Sequence, residues 1–208
     1  IYYNGALQTV TTGSVVINNF STTVPLTITP PPHSNLDIPL TVSVVSVDTS
    51  NGITSISNAT SLPILVDVRG VADPVTLNLQ TLHTSEAAVD ANGQKISLAG
   101  AITAVTPVDN DGSESLNVVI TGVPTGVNIE GLTFIGGVGV DRAWSGTPAQ
   151  IASANLVLKD ANFSGTINFT VRTVSTENDG NSLSGPNQAV SVQVTPSPEA
   201  ILVAQTTV

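Results

Sequence analysis

The sequence predicts an all-β protein built from antiparallel β-sandwiches in tandem, and three observations carry that prediction. Apolar residues recur at every second position in many short runs, Gly, Pro and Asn punctuate those runs, and a block of sequence returns 129 residues later. Thr, Val and Ser are abundant, Met is absent, and no stretch shows a sustained helical stripe, so the local preferences also favour strands and turns.

Taken along the chain, alternation begins at Leu40, Val42 and Val44, continues at Ile64, Val66 and Val68, and returns at Val75, Leu77 and Leu79. It follows at Leu116, Val118 and Ile120, at Leu156 and Leu158, at Ile167, Phe169 and Val171, and at Val190, Val192 and Val194. Successive side chains of a strand point to opposite faces, so each run offers one apolar face to a core and one polar face to water. Asn51-Gly52, Pro124-Thr125-Gly126, Gly136-Gly137 and Asp179-Gly180 lie between runs, and each holds a residue that accepts positive φ. Many short strands joined by such turns describe a sandwich.

The repeat sets the domain organisation. Leu36–Asp48 reads LDIPLTVSVVSVD and Gly165–Glu177 reads GTINFTVRTVSTE, which matches Leu40 with Phe169, Val42 with Val171 and Asp48 with Glu177. Leu26 and Ile28 match Leu156 and Leu158 at a spacing of 130, and Val66 and Val68 match Val192 and Val194 at a spacing of 126. Small drifts in spacing are what loop insertions leave between two copies of one fold. The expected domains are residues 1–70, the later part of a sandwich or a shortened one, residues 71–199, a complete sandwich, and residues 200–208, a tail or the start of a further repeat. A half sandwich exposes an apolar sheet face, so the first copy is expected to be incomplete or to be covered by another chain. The connection Val68-Arg69-Gly70-Val71-Ala72-Asp73-Pro74 is short, and Pro74 keeps Asp73 extended, which holds the copies end to end.

Charge and composition narrow the function. With 5 Lys and Arg against 15 Asp and Glu in 208 residues, the net charge is −10, and no basic groove exists for a nucleic-acid backbone. No run approaches the ~20 apolar residues of a membrane-spanning helix. Cysteine is absent, which removes disulfides, thiolate metal sites and Cys nucleophiles, and makes some other reinforcement of an extracellular domain expected.

Asp109-Asn110-Asp111-Gly112-Ser113-Glu114 places carboxylates at positions 1, 3 and 6 of one loop with no basic neighbour. Such groups repel unless they are spread apart, protonated or bridged by a cation, and oxygen donors at alternating positions suit calcium. Position 12 is Thr121 rather than Glu, so the loop is not an EF-hand. An ordinary solvated acidic turn is the alternative. Further acids stand where a junction gathers loops: Asp48 and Glu177 at matching strand ends, Asp73 and Glu199 at the ends of the copies, and Glu86 early in the second copy.

Catalytic signals are thin. His33 and His83 lack spaced partners for zinc, no G-x-S-x-G elbow is present, and Gly136-Gly137-Val138-Gly139 lacks the Lys of a phosphate loop. Nothing fixes Glu130 and Asp141 as a glycosidase pair. The chain is therefore expected not to be an enzyme. Trp144 is either a platform for a sugar ring or a plug in the core.

Val71-Ala72-Asp73-Pro74, DNDGSESL at 109–116, ITGVPTGV at 120–127, Trp144-Ser145-Gly146-Thr147, DANFSG at 160–165 and TVSTENDG at 173–180 occur in order, and together they resemble the tandem immunoglobulin-like repeats of large bacterial RTX-type adhesins and biofilm proteins. The resemblance covers nearly all of residues 71–199, and the first copy carries the later phrases. It implies immunoglobulin-like sandwiches that serve as calcium-stiffened extender modules on the cell surface, partnered by neighbouring repeats and holding a distal domain that binds a surface glycan or protein. It further implies that Asp109, Asp111 and Glu114 form a calcium loop, with Asp73 and Glu86 at the junction and Asp48 nearby. A calcium-dependent glycan- or protein-binding module is the other function it allows. The first copy departs from the pattern at Pro32-His33-Ser34-Asn35, and the glycine- and aspartate-rich nonapeptides of the RTX group are absent from this segment, which places secretion signals elsewhere.

Overall fold

A computed structural model describes residues 1–86, 94–104, 109, 111–160 and 162–198. The chain divides into two compact units, Ile1–Arg69 and Gly70–Val208. Among the described residues no helix is long and apolar enough to cross a membrane.

Unit 1 contains β1 (Tyr2–Tyr3), β2 (Ala6–Leu7), β3 (Leu26–Thr27), β4 (Ile38–Val44), β5 (Val47–Ser50), β6 (Ile53–Ile56) and β7 (Thr60–Val66). They form a small sheet in the order β2-β1-β3 and two antiparallel pairs, β4 with β7 and β5 with β6. Asn51 and Gly52 both take positive φ, 52° and 78°, between β5 and β6, which is the tight turn that an Asn-Gly pair specifies.

Unit 2 contains β8 (Leu77–Leu79), β9 (Leu82–Ser85), β10 (Gln94–Ser97), β11 (Ile102–Ala104), β12 (Glu114–Thr121), β13 (Val127–Glu130), β14 (Thr133–Gly136), β15 (Ala143–Gly146), β16 (Asn155–Leu158), β17 (Gly165–Glu177), β18 (Ser182–Ser184) and β19 (Gln188–Thr195). The larger sheet runs β14-β15-β12-β17-β19-β9, with β18 against the far half of β17. Facing it are the sheet β10-β16-β13 and the pair β11-β8. Inward residues of the larger sheet, among them Val118, Ile120, Ile167, Phe169, Val171 and Val192, share one core with Ile96, Leu98, Ile129, Leu156 and Leu158 from the other side. Burial of each such side chain contributes about 1.5–3 kcal/mol, so this core stabilises the unit without disulfides.

The alternation read from the sequence falls on strands except at Val68 and Val75, which lie just outside β7 and β8. One pairing differs from the antiparallel expectation. β9 runs parallel to β19, with Leu82 opposite Val192 and Ser85 opposite Thr195. The chain crosses from the β8 pair to the larger sheet at Gln80 and Thr81 without reversing, because no turn residue intervenes between Leu79 and Leu82. The single α-helical turn, Pro148–Ile151, is too short for a helical stripe and is fixed by a capping box between Thr147 and Gln150.

Candidate functional site

The site lies at the end of unit 2 where β12 begins and β17 ends. Antiparallel register places Glu114 directly opposite Glu177, so an acidic loop leading into one strand meets an acidic loop leaving the other. Within residues 109–114, carboxylates hold the backbone. Asp109 Oδ1 accepts from the Asp111 N–H at 3.1 Å, and its Oδ2 accepts from the Glu114 N–H at 2.8 Å. Asp111 Oδ1 accepts from the Ser113 N–H at 2.9 Å, and Gly112 supplies the positive φ of 79° that the turn requires.

The segment that enters unit 2 is clamped to this end by backbone donors. The Gly70 N–H donates to Asp179 Oδ2 at 3.0 Å, the Ala72 N–H to Asn181 Oδ1 at 2.8 Å and the Asp73 N–H to Glu114 Oε1 at 2.8 Å. Gly70 packs so closely on Glu177 that a Cβ there would stand 2.8 Å from its Cγ and Cδ. Asp179 Oδ1 accepts from the Asn181 N–H, and the Asn178 N–H reaches the Ser113 carbonyl, which ties the two loops together.

Electrostatics at this end are one-sided. The Ser113 hydroxyl lies 2.6 Å from Asp109 Oδ2 and 2.8 Å from Glu177 Oε2, yet it has one proton to give. Glu177 is 7% exposed. Burial is the largest influence pushing its carboxyl above the ordinary value, opposed by the hydrogen bond from Ser113 and reinforced by the charges of Asp109, Glu114 and Asp179. Glu114 Oε2 is buried and has no hydrogen-bond partner among the described residues. Three of the five cations have other partners: Arg69 pairs with Asp67, Lys95 with Glu130 at 2.7 Å, and Arg142 donates to the carbonyls of Gly139, Pro124 and Val127. Among the described residues no group of three or more Asp, Glu or His side chains stands ready-made as a metal cage. The oxygens are turned instead toward backbone amides.

Asp73, Asp109, Asp111 and Glu114 therefore come together, and Glu177 and Asp179 join them. Within unit 2, one expected ligand does not. Glu86 sits at the opposite end of unit 2, where its Oε1 accepts from the Ser197 N–H at 2.8 Å. The full length of β17, 13 residues and roughly 40 Å of strand, separates the two ends. Asp48 belongs to unit 1, exposed on β5 opposite Ser55. Asn110 and Glu199 lie outside the described residues.

Trp144 is a core residue and not a sugar platform. At 2% exposure it offers no free face to a ring, and it meets Phe134 edge-on at 5.4 Å with the Arg142 guanidinium 5.0 Å from its centroid. The sequence does carry a signal for Asp179: the tripeptide Asn-Asp-Gly occurs twice, at 110–112 and 178–180.

No protein-family model matches the chain, and no curated protein matches it. Among solved structures it is similar to AggA, the major subunit of the aggregative adherence fimbriae type I of Escherichia coli. That likeness has 12% identity and a TM-score of 0.29 and covers 60% of this chain and 97% of AggA, values at which it bears on neither fold nor function.

Proposed function

We propose that this chain is a non-catalytic, extracellular extender segment of a bacterial cell-surface adhesin, and that calcium held at the acidic end of unit 2 fixes the direction in which the polypeptide enters the sandwich. The supporting observation is the gathering of Asp73, Asp109, Asp111, Glu114, Glu177 and Asp179 around one clamped segment, with a buried carboxylate oxygen on Glu114 that has no partner. The donor set fits calcium: it is entirely oxygen, strongly negative and carried on loops that permit irregular coordination. Asp109, Glu114 and Glu177 would hold the ion, with Asp73, Asp111 and Asp179 beside them. Calcium would supply the positive charge that the cluster lacks, and at least one carboxylate would exchange its amide partner for the ion.

Because an ion that binds only the folded state stabilises it, calcium at about 100 times its Kd adds about 2.7 kcal/mol. For a unit of this size that is about 5–10 °C in Tm. Calorimetric melting of the chain in calcium and in chelator tests the reading. Equal melting curves, together with no heat of calcium binding, would refute it.

A second reading, a module that binds a protein partner, draws on the apolar edge strand β14 and the turn after it, where Phe134, Ile135, Val138 and Val140 are all exposed. Replacement of Phe134 and Val138 by Ser would abolish adhesion under this reading and leave it intact under the first.

A further inference from the structure

Unit 1 repeats the later part of unit 2 strand by strand, and hydrogen-bond register shows this independently of the sequence match. In unit 2, Ile167 pairs with Val192 and Phe169 with Val190. In unit 1, Ile38 pairs with Val66 and Leu40 with Ile64, which are the same positions after shifts of 129 and 126. Likewise Ile129 pairs with Leu156, and Tyr3 pairs with Leu26 after shifts of 126 and 130. Gly5 and Gly131, which follow these strands, both take positive φ. So β1, β3, β4 and β7 correspond to β13, β16, β17 and β19.

What differs is what covers them. In unit 2 the second neighbour of β16 is β10, that of β17 is β12 and that of β19 is β9. In unit 1 the corresponding edges of β3, β4 and β7 have no strand partner among the described residues and are open in that sense. The three covering strands of unit 2 lie within one stretch of sequence, Leu77–Thr121, and no strand of unit 1 corresponds to them. The apolar face is correspondingly bare: Val42 is 38% exposed against 1% for Val171, Ile64 43% against 2% for Val190, and Leu26 47% against 0% for Leu156. Residues 38–66 carry a single charge, Asp48, so the face has nothing to repel an apolar layer.

We infer that the open edges of β3, β4 and β7 form a docking site for a β-segment of the Leu77–Thr121 kind, which adds strands at all three edges and completes a second sandwich when it is supplied ahead of β1. The point of entry follows from unit 2, where β12 leads through Gly122–Gly126 into β13, the counterpart of β1. The segment is recognised by its chemistry: alternating apolar residues that meet Leu40, Val42 and Ile64, and backbone groups that pair with the open edges.

The test places a second copy of residues 74–126 ahead of Ile1 in the full chain, so that the new Gly126–Ile1 connection reproduces Gly126–Val127. Amide exchange of β3, β4 and β7 should slow by about 100-fold or more relative to the original chain, and binding of an apolar dye should fall. Val42→Asp should leave the original chain unaffected and abolish the gained protection in the extended one. Unchanged exchange in the extended chain would overturn the inference. Should the extended chain not fold, the original chain decides. If its β4 and β7 amides are already as protected as those of β17 and β19, the face needs no such segment, and if that protection accompanies a dimer in light scattering, a second copy covers it instead. Either outcome overturns the inference, and fast exchange with dye binding in a monomer supports it.

Discussion

Replacing Glu177 by Gln removes one negative charge from the acidic end and keeps the shape of the side chain. The Ser113 hydroxyl stands between the two carboxylates, so Asp109 Oδ2 and Glu177 Oε2 are at most 5.4 Å apart, the sum of 2.6 and 2.8 Å. At that separation two unit charges repel by about 1 kcal/mol in water and about 3 kcal/mol at the effective dielectric of a protein site. The substitution weakens one charge-assisted hydrogen bond from Ser113, which offsets part of this gain. Glu177→Gln should therefore raise stability in chelator at pH 7.5 by about 1–2 kcal/mol, or about 3–6 °C in Tm. The pH dependence carries the same sign. Because the folded-state pKa is raised above the ordinary 4.5, the folded chain binds this proton more tightly than the unfolded chain, so the contribution of Glu177 to stability is fully present below 4.5 and is lost as pH rises through the folded value. The Gln variant should lack that decline. Under the proposed function the order should reverse in calcium, since the ion would then lose a ligand. Thermal melting in chelator and in calcium between pH 4 and 8 reads all three effects. A variant less stable than the parent in chelator at pH 7.5, with the same pH slope, would refute the claim that Glu177 sits in uncompensated negative charge.

Other substitutions separate the clamp, the loop and the core. Gly70→Ala should cost about 1–3 kcal/mol, because its Cβ would fall 2.8 Å from Glu177 atoms that are themselves buried, and chemical denaturation should show the loss in unit 2. Asp109→Asn should cost about 1–3 kcal/mol and also remove the calcium response in calorimetry, since this carboxylate accepts from two backbone amides and the Ser113 hydroxyl. Trp144→Ala should cost about 3–5 kcal/mol by leaving a cavity between Phe134 and Arg142, whereas in the parent the single Trp should emit as a buried indole and be unaffected by added sugars.

Strands and turns were legible because period-two alternation and positive-φ residues are local properties. The alternation from Ile167 to Val171 needs no knowledge of its neighbours to become half of a buried face. The acidic end was half legible for the same reason. Asp109, Asp111 and Glu114 share one loop, but Glu177 reaches them only through the 63-residue offset of the β12–β17 register, which no local pattern encodes. Glu86, placed with Asp73 at the junction by what the resemblance implies, lies at the other end of unit 2, beside Ser197. Thirteen residues of largely extended chain carry it from one end of the sandwich to the other, and the parallel pairing of β9 with β19 fixes it there. Trp144 had two readings in sequence, and only the opposing strands β12 and β14 decide between them.

The inward face of β17 explains why the acidic end differs from the rest of the unit. It begins with Ile167, Phe169 and Val171, whose burial is favourable under any ionic condition, and continues with Thr173, Ser175 and Glu177, which are buried just as deeply. Thr173 gives its hydroxyl to the Val75 carbonyl at 3.0 Å, so the entering segment covers the polar half of this face as the second sheet covers the apolar half. A lid fastened through carboxylates and backbone amides is as strong as the charges beneath it allow, and a buried carboxylate among other acids favours its own release to water. A proton on Glu177 relieves that strain at low pH, and under the proposed function a divalent cation would do so at neutral pH. Stability at this end is thus conditional on protonation and charge while that of the apolar core is not, and the conditional part lies where the chain enters unit 2.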